Sequence, residues 1–166
     1  MIDILDEELL SFWRSLNHFD VKYIMGGGLA SALNGYNRIT NVIDIWIEDT
    51  TENREKFRQA FNKYSGIDLF MFGTMQIISG WTNFNLNNGY RLDIMVNMKG
   101  LENFSFDECY RVANIANIYD INVPFLHINQ LIANKKAVNR LKDQLDVIYL
   151  EKIKKIQEEE DDSKSL

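Results

Sequence analysis

The sequence has little of what marks an exported or membrane-anchored protein. Its one cysteine cannot form an internal disulfide, which suits a reducing compartment, and its single proline leaves no Pro-rich linker. No apolar run approaches the roughly 20 residues that a transmembrane helix needs. The first ten residues are acidic, where a signal peptide is basic. We therefore expect a cytoplasmic protein that has no membrane partner.

Positive charge is also in short supply. The net charge of −6 argues against broad, non-specific binding to nucleic acids. Much of the acidic excess lies in residues 157–166, which we predict to be a disordered tail because few apolar side chains offset the entropy cost of ordering it. We predict a single domain over residues 1–156, since a chain of 166 residues with 46% hydrophobic content suffices for one packed core.

Hydrophobic patterns along the chain predict a mixture of helices and strands. The turn sequence Asn87-Asn88-Gly89 separates two strand-like runs and predicts a β-hairpin. The predicted strands cover residues 21–25, 42–47, 75–86, 90–98 and 112–118, with a short extended piece at 123–126. The predicted helices cover 3–18, 29–33, a segment capped by Thr50 or Thr51, and 129–156 with a break near Asn139. We expect an α/β (α+β) fold with a mixed, mostly antiparallel sheet, flanking helices and a C-terminal helical segment.

The stretch from residue 23 to residue 48 carries the features that point to chemistry. A strand-like run enters Gly26-Gly27-Gly28, and a short helix follows; such a turn lets backbone amides approach a phosphate. Asp44 lies inside the apolar run VIDIWI, where a carboxylate is costly unless it is paired or binds a metal ion. The residues alone leave two interpretations open: a tight turn beside a structurally paired Asp, or a phosphate turn beside a metal ligand.

The order of residues in this stretch resembles the nucleotidyltransferase superfamily, which includes kanamycin and lincosamide nucleotidyltransferases, minimal nucleotidyltransferase antitoxins and abortive-infection toxins. Many bacterial members carry Gly-Gly-x-Ala, a later Gly, and then Arg-x-Thr-x-Asp-h-Asp, where h is hydrophobic. The matching residues of this chain are Gly27, Gly28, Ala30, Gly35, Arg38, Thr40 and Asp44. Every marked position matches except the first Asp of the pair, where this chain has Val42.

The resemblance implies a nucleotidyltransferase-like fold and a metal-dependent reaction, in which a nucleoside monophosphate passes from an NTP to an acceptor hydroxyl. Asp44 and Asp93 would be the catalytic residues and metal ligands, with two Mg²⁺ ions in the intact family site. The implied nucleotide contacts are Gly27, Gly28, Arg38, Thr40, Lys135, Arg140, Lys142 and Asp143. The acceptor would be a tRNA, a protein or a small molecule.

The C-terminal members of that set rest on a second resemblance. Lys135, Arg140 and the Lys142-Asp143 pair resemble the closing helix of the abortive-infection group, in which a Lys, a later Arg and a Lys/Arg-Asp-x-x-Asp sequence recur. Taken without that resemblance, the same residues are typical of a solvated helix face with salt bridges. Both interpretations stay open at this point.

Val42 changes what the resemblance implies for activity. Valine offers no lone pair to a metal ion, so we predict very low transferase activity for this chain. Either Val42 is natural and the chain is a degenerate member, or Val42 is a single inactivating change in an otherwise competent site. The retained glycines and carboxylates favour the second explanation. The alternative function is a catalytically inactive binding module, antitoxin-like or scaffold-like, that binds a partner protein or forms a homo-oligomer.

Overall fold

The computed structural model describes residues 2–165, so Met1 of the predicted domain and Leu166 of the predicted tail lie outside the described residues. The elements, in chain order, are α1 (Glu7–His18), β1 (Tyr23–Met25), α2 (Gly27–Leu33), β2 (Val42–Ile47), α3 (Thr51–Ser65), β3 (Trp81–Asn85), β4 (Arg91–Met95), α4 (Phe106–Val112), β5 (Asn114–Ile118), β6 (Ile121–Phe125), α5 (Ile128–Val138) and α6 (Leu141–Lys164). The chain therefore contains a mixture of helices and strands, as the hydrophobic patterns predicted.

The strands form one sheet in the order β3-β4-β2-β1-β6-β5. The pairs β3–β4, β1–β2 and β5–β6 are antiparallel, whereas β2–β4 and β1–β6 are parallel. The predicted fold class, a mixed and mostly antiparallel sheet with flanking helices, is confirmed. The parallel β2–β4 pair joins two strands that are distant in sequence, and it places Asp44 of β2 beside Asp93 of β4.

The two faces of the sheet have different environments. Alternate residues of a strand point to opposite faces, and Ile43, Ile45 and Ile47 of β2 are fully buried on one of them. On that face, the ring of Phe61 in α3 lies 5.6 Å from the ring of Phe84 in β3. The apolar core therefore lies between this face and the helices α1 and α3. The remaining residues of β2, at positions 42, 44 and 46, belong to the other face of the sheet.

The largest differences from the prediction concern three segments. Residues 75–80 were predicted as the start of a strand, but β3 begins only at Trp81. Helix α4 was missed, although Ser105 accepts a hydrogen bond from the backbone N–H of Glu108, whose carboxylate accepts one from Ser105 in return. This capping box is readable as Ser-x-x-Glu in the sequence. Helix α6 continues to Lys164, so residues 157–164 are helical, where composition predicted a disordered tail. Ion pairs at i,i+4 spacing, among them Lys154–Glu158, favour the helical form.

The long C-terminal helix is polar over most of its length, and its last turns are acidic. Among residues 2–165, no helix combines the length and the apolar character needed to cross a membrane.

Candidate functional site

Two carboxylates lie side by side on the face of the sheet opposite the core. In the parallel β2–β4 pair, Asp44 is the direct partner of Asp93, and Val42 is the direct partner of Arg91. Side chains of directly paired residues project from the same face, with β-carbons about 5 Å apart. The structure thus brings Asp44 and Asp93 together, and it places Val42 and Arg91 next to them.

The glycine turn packs directly against this pair. The backbone N–H of Gly26 donates to the carbonyl of Asp44 at 2.9 Å. Gly27 has a φ of +61°, and a β-carbon there would overlap the Asp44 carboxylate. A β-carbon on Gly28 would lie 2.7 Å from the β-carbon of Thr40. Glycine is therefore required at both positions, by backbone conformation at the first and by close contact at both.

A cavity of about 1200 Å³ opens over the carboxylates. Its wall contains every residue that the sequence analysis assigned to the site except the buried Gly28: Gly27, Arg38, Thr40, Val42, Asp44, Asp93, Lys135, Arg140, Lys142 and Asp143. Another part of the wall is apolar and comprises Trp46, Ile78, Trp81, Met95, Leu101 and Phe104. The assigned residues, which are far apart in sequence, therefore share one cavity.

The charge of Asp44 is only partly relieved. Burial raises the pKa of Asp44 to about 6, and the neighbouring charge of Asp93 adds to that rise. The cations Lys135, Arg140 and Lys142 oppose the rise without cancelling it. Within residues 2–165, no three His, Cys, Asp or Glu side chains form a group that could hold a metal ion. The site therefore offers a carboxylate pair, in keeping with the valine at position 42.

A buried charge cluster, formed by Arg38, Lys135, Asp143 and Asp146, closes another side of the cavity. The Lys135 ammonium donates to Asp146 at 2.5 Å and lies 3.8 Å from Asp143. The Nε of Arg38 lies 3.2 Å from the same Asp146 carboxylate. Lys135 is 3% exposed, and the two acids are 1% exposed. Lys135 is thus neither on a solvated helix face nor an unpaired cation, because it joins α5 to α6 inside the protein.

Arg140 and Lys142 differ from the buried cluster because both are exposed at the edge of the cavity. The Arg140 guanidinium binds Asp143 through two hydrogen bonds, Nε to Oδ2 at 2.6 Å and Nη2 to Oδ1 at 3.1 Å. Burial favours the neutral form of Asp143, but the hydrogen bond and charge of Arg140 outweigh it and lower the pKa of Asp143. Asp143 is therefore an ionised partner of Arg140 and Lys135, on the helical side of the cavity.

Among the charged residues of this region that the sequence analysis did not assign, Arg91 and Asp146 bind residues that it did assign. Arg91 binds Asp93 through two hydrogen bonds, Nε to Oδ1 at 2.6 Å and Nη2 to Oδ2 at 3.3 Å. Its guanidinium also lies 5.6 Å from the centre of the Trp81 ring. The signal for Arg91 was its i−2 spacing from Asp93, which puts both on one face of a strand. Asp146 is the second Asp of the Lys-Asp-x-x-Asp sequence in the C-terminal resemblance, and it was not assigned a role.

Comparison with protein-family models gives no match, and neither does comparison with curated proteins. Solved structures do match. One is the lincosamide antibiotic adenylyltransferase LnuA in complex with lincomycin, with 14% identity, a TM-score of 0.60, and coverage of 89% of this chain and 97% of that one. Another is a proposed nucleotidyltransferase from Thermotoga maritima, with 15% identity, a TM-score of 0.55, and coverage of 93% and 91%. The chain therefore has the nucleotidyltransferase fold.

Proposed function

We propose that this chain is a magnesium-dependent nucleotidyltransferase, which transfers a nucleoside monophosphate from an NTP to an acceptor hydroxyl at a rate strongly reduced by Val42. The observation that carries the proposal is the direct pairing of Asp44 with Asp93, next to the glycine turn, in a cavity large enough for a nucleotide. A nucleotidyl transfer needs little covalent work from the protein, so positioned charges suffice for much of the catalysis.

The carboxylate pair fits one Mg²⁺ ion better than two. Magnesium in nucleotide sites is commonly bound by one or two carboxylates together with phosphate oxygens and water, which matches Asp44 and Asp93. The raised pKa of Asp44 reflects charge that a bound cation would relieve. A second ion would lack the ligand that the resemblance expects at position 42. When bound, the ion would neutralise phosphate charge and lower the pKa of the acceptor hydroxyl.

The remaining assigned residues divide into two roles. Arg140 and Lys142, which are exposed at the cavity edge, are available to contact phosphates. Arg38 and Lys135 already bind Asp146, so we assign them to positioning the cavity wall. The glycine turn at Gly27 would hold the triphosphate against the carboxylates with backbone N–H groups.

A small molecule is the acceptor that we favour. Ligand pockets usually measure roughly 300–1000 Å³, so a cavity of about 1200 Å³ has room for a nucleotide and a second small molecule. Its apolar wall, with Trp81, Leu101 and Phe104, suits an acceptor that has an apolar body. LnuA, which shares the fold, was solved with lincomycin bound. The net charge of −6 gives a large RNA less support.

The test is to restore the missing carboxylate with Val42→Asp and to measure radiolabel transfer from each NTP in the presence of Mg²⁺. Lincosamides, aminoglycosides, tRNA and proteins would be offered as acceptors. We expect Val42→Asp to exceed the unchanged chain by roughly a hundredfold or more, by analogy with the loss of one electrostatic group from an active site. The control is Val42→Asn, because asparagine has nearly the same shape as aspartate but carries no charge. If nucleotides bind and Val42→Asp still transfers nothing to any acceptor, the chain is not an enzyme of this kind.

The second candidate is a catalytically inactive binding module. It is favoured by one specific observation: Asp93 is already neutralised by two hydrogen bonds from Arg91, beside a position that holds no carboxylate. Thermal-shift measurements with ATP, GTP, CTP and UTP separate the candidates. Stabilisation by a nucleotide in the presence of Mg²⁺ supports the transferase, whereas no stabilisation at millimolar concentration supports the module. The module would also keep its binding to a partner protein or second copy after Asp93→Asn.

A further inference from the structure

Arg91 stands where the site lacks a carboxylate. It is the first residue of β4 and the direct partner of Val42 on β2, and both side chains belong to the face that carries Asp44 and Asp93. Valine at position 42 leaves that end of the carboxylate pair apolar and uncharged. The charged group nearest in register is therefore the guanidinium of Arg91, which also lines the cavity.

The Arg91 guanidinium is held in place by its neighbours, and it has further N–H donors for a ligand. Two of its N–H groups bind the Asp93 carboxylate, and the Trp81 ring packs against it at 5.6 Å. A guanidinium has further N–H donors in the same plane, in a geometry that matches phosphate oxygens. The side chain remains 46% exposed, so those donors are accessible from the cavity. The result is a positioned cation with free donors.

Having Arg91 but no carboxylate at position 42 changes the net charge on the sheet side of the cavity. Two carboxylates, Asp44 and Asp93, and one guanidinium give a net charge of −1 for the sheet side of the cavity. A carboxylate at position 42 would make that sum more negative and would compete with Asp93 for Arg91. The present arrangement thus repels a triphosphate less than the intact pattern would, and it needs less divalent cation to accept one.

We propose that Arg91 is a built-in ligand for the triphosphate, a fixed cation that substitutes for one divalent ion and lets the chain bind an NTP without metal. This inference rests on the proposed function, because it concerns the same cavity. It separates binding from catalysis: nucleotide binding depends on Arg91, whereas transfer still depends on Mg²⁺ and on the residue at position 42. Val42 and Arg91 therefore act together: the valine places no competing carboxylate beside the guanidinium, and the guanidinium supplies the positive charge.

The experiment measures nucleotide affinity and thermal shift for the full chain and for Arg91→Gln, with excess Mg²⁺ and with EDTA. Each of the four NTPs and inorganic tripolyphosphate serves as a ligand, so that the phosphate share of binding is measured without a base. Arg91→Lys tests whether a point charge replaces the planar group. Arg14→Gln is the matched control, since Arg14 is similarly exposed, at 51%, and forms an ion pair with Glu7 on α1.

We expect the unchanged chain and Arg14→Gln to bind an NTP in EDTA. Arg91→Gln should bind it roughly tenfold more weakly in EDTA, as expected for the loss of a charge-assisted hydrogen bond. Mg²⁺ should restore much of that loss, because Asp93 is then free to act as a ligand. Arg91→Lys should give an intermediate affinity.

Two other results would overturn the inference, and they are distinguishable. If the unchanged chain binds NTP only with Mg²⁺, and Arg91→Gln behaves identically, the proposed function survives and Arg91 is not a triphosphate ligand. If no NTP binds in either condition while the folded chain has its normal melting temperature, the proposed function fails as well.

Discussion

Two charged regions border the cavity, and they differ in how completely their charges are neutralised by neighbouring groups. In the buried charge cluster, both carboxylates have cationic partners within 4 Å, although Asp143 and Asp146 are 1% exposed. In the carboxylate pair on the sheet, Asp93 is bound by Arg91, while Asp44 has a pKa raised to about 6 by burial and by its neighbour. The more deeply buried region is thus the more fully neutralised one.

This difference indicates which charged region contributes to the fold and which one is available to bind a ligand. A buried charge with all its partners in place contributes to the fold and has little left to offer a ligand. A carboxylate whose charge is unrelieved has free energy to gain from a cation, and Asp44 lies beside the glycine turn that we propose to hold a triphosphate. Residue type alone does not distinguish the two regions, because both contain Asp beside Arg or Lys.

The largest expected effect comes from breaking the buried charge cluster. Lys135→Met leaves Asp143 and Asp146 with fewer cationic partners inside the protein, and we expect the free energy of unfolding to fall by about 3 kcal/mol. Urea denaturation at pH 7 measures it. The control is the neighbouring Lys136→Met, whose ion pair with Glu151 is 57% and 48% exposed and should contribute less than about 1 kcal/mol. Equal losses in the two variants would show that the cluster is not a structural centre.

The next largest effect comes from adding a methyl group that contacts the carboxylate pair. Gly27→Ala adds a methyl group at a positive φ and in contact with Asp44, so we expect a loss of about 2 kcal/mol in stability and of Mg²⁺-dependent nucleotide stabilisation. Gly89→Ala separates the two causes, because Gly89 has a φ of +83° and nothing within 4 Å of an added β-carbon. It should cost about 1 kcal/mol from strain. If it weakens nucleotide binding equally, contact with Asp44 is not the reason.

The smallest effect has the opposite sign. The folded chain holds the Asp44 proton more tightly than the unfolded chain does, so ionising Asp44 destabilises the fold as the pH rises from about 4 to about 6. Asp44→Asn removes that cost. In EDTA, we expect the variant to match the unchanged chain near pH 4 and to exceed its unfolding free energy by about 1–2 kcal/mol at pH 7.

Chemical denaturation across this pH range checks the sign, with the exposed Asp161→Asn as a control that should show no such difference. A variant that is less stable than the unchanged chain at pH 7 would mean that the Asp44 charge is fully compensated. The same variant should lose Mg²⁺-dependent stabilisation by NTP, because one of the two proposed ligands is gone.

Local signals in the sequence predicted much of the fold. Strand β2 has the predicted bounds, 42–47, because a run of β-branched residues flanked by polar ones leaves few alternatives. Asn139 adopts the left-handed conformation, with a φ of 57°, at the predicted break between α5 and α6. Helix α4 was missed because its capping box was overlooked, although it is as local as those signals.

The site was less predictable than the fold because its geometry depends on long-range pairing. The parallel register that joins Asp44 to Asp93 connects strands about 50 residues apart, and no periodicity within either strand specifies it. For Lys135 the sequence left a nucleotide contact and a solvated helix face open. Lysine is rarely buried, and only its partners Asp143 and Asp146 explain its position. The orientation of Arg91 likewise depends on Trp81, which lies on a neighbouring strand.

The dependence of Arg38 and Lys135 on Asp146 has a consequence for biosynthesis. The glycine turn and both strands that carry the carboxylates leave the ribosome well before α6 does, yet the cavity wall that includes Arg38 is held by a residue of that last helix. Until α6 has been synthesised, Arg38 and Lys135 therefore lack the Asp146 carboxylate that holds them in the cavity wall.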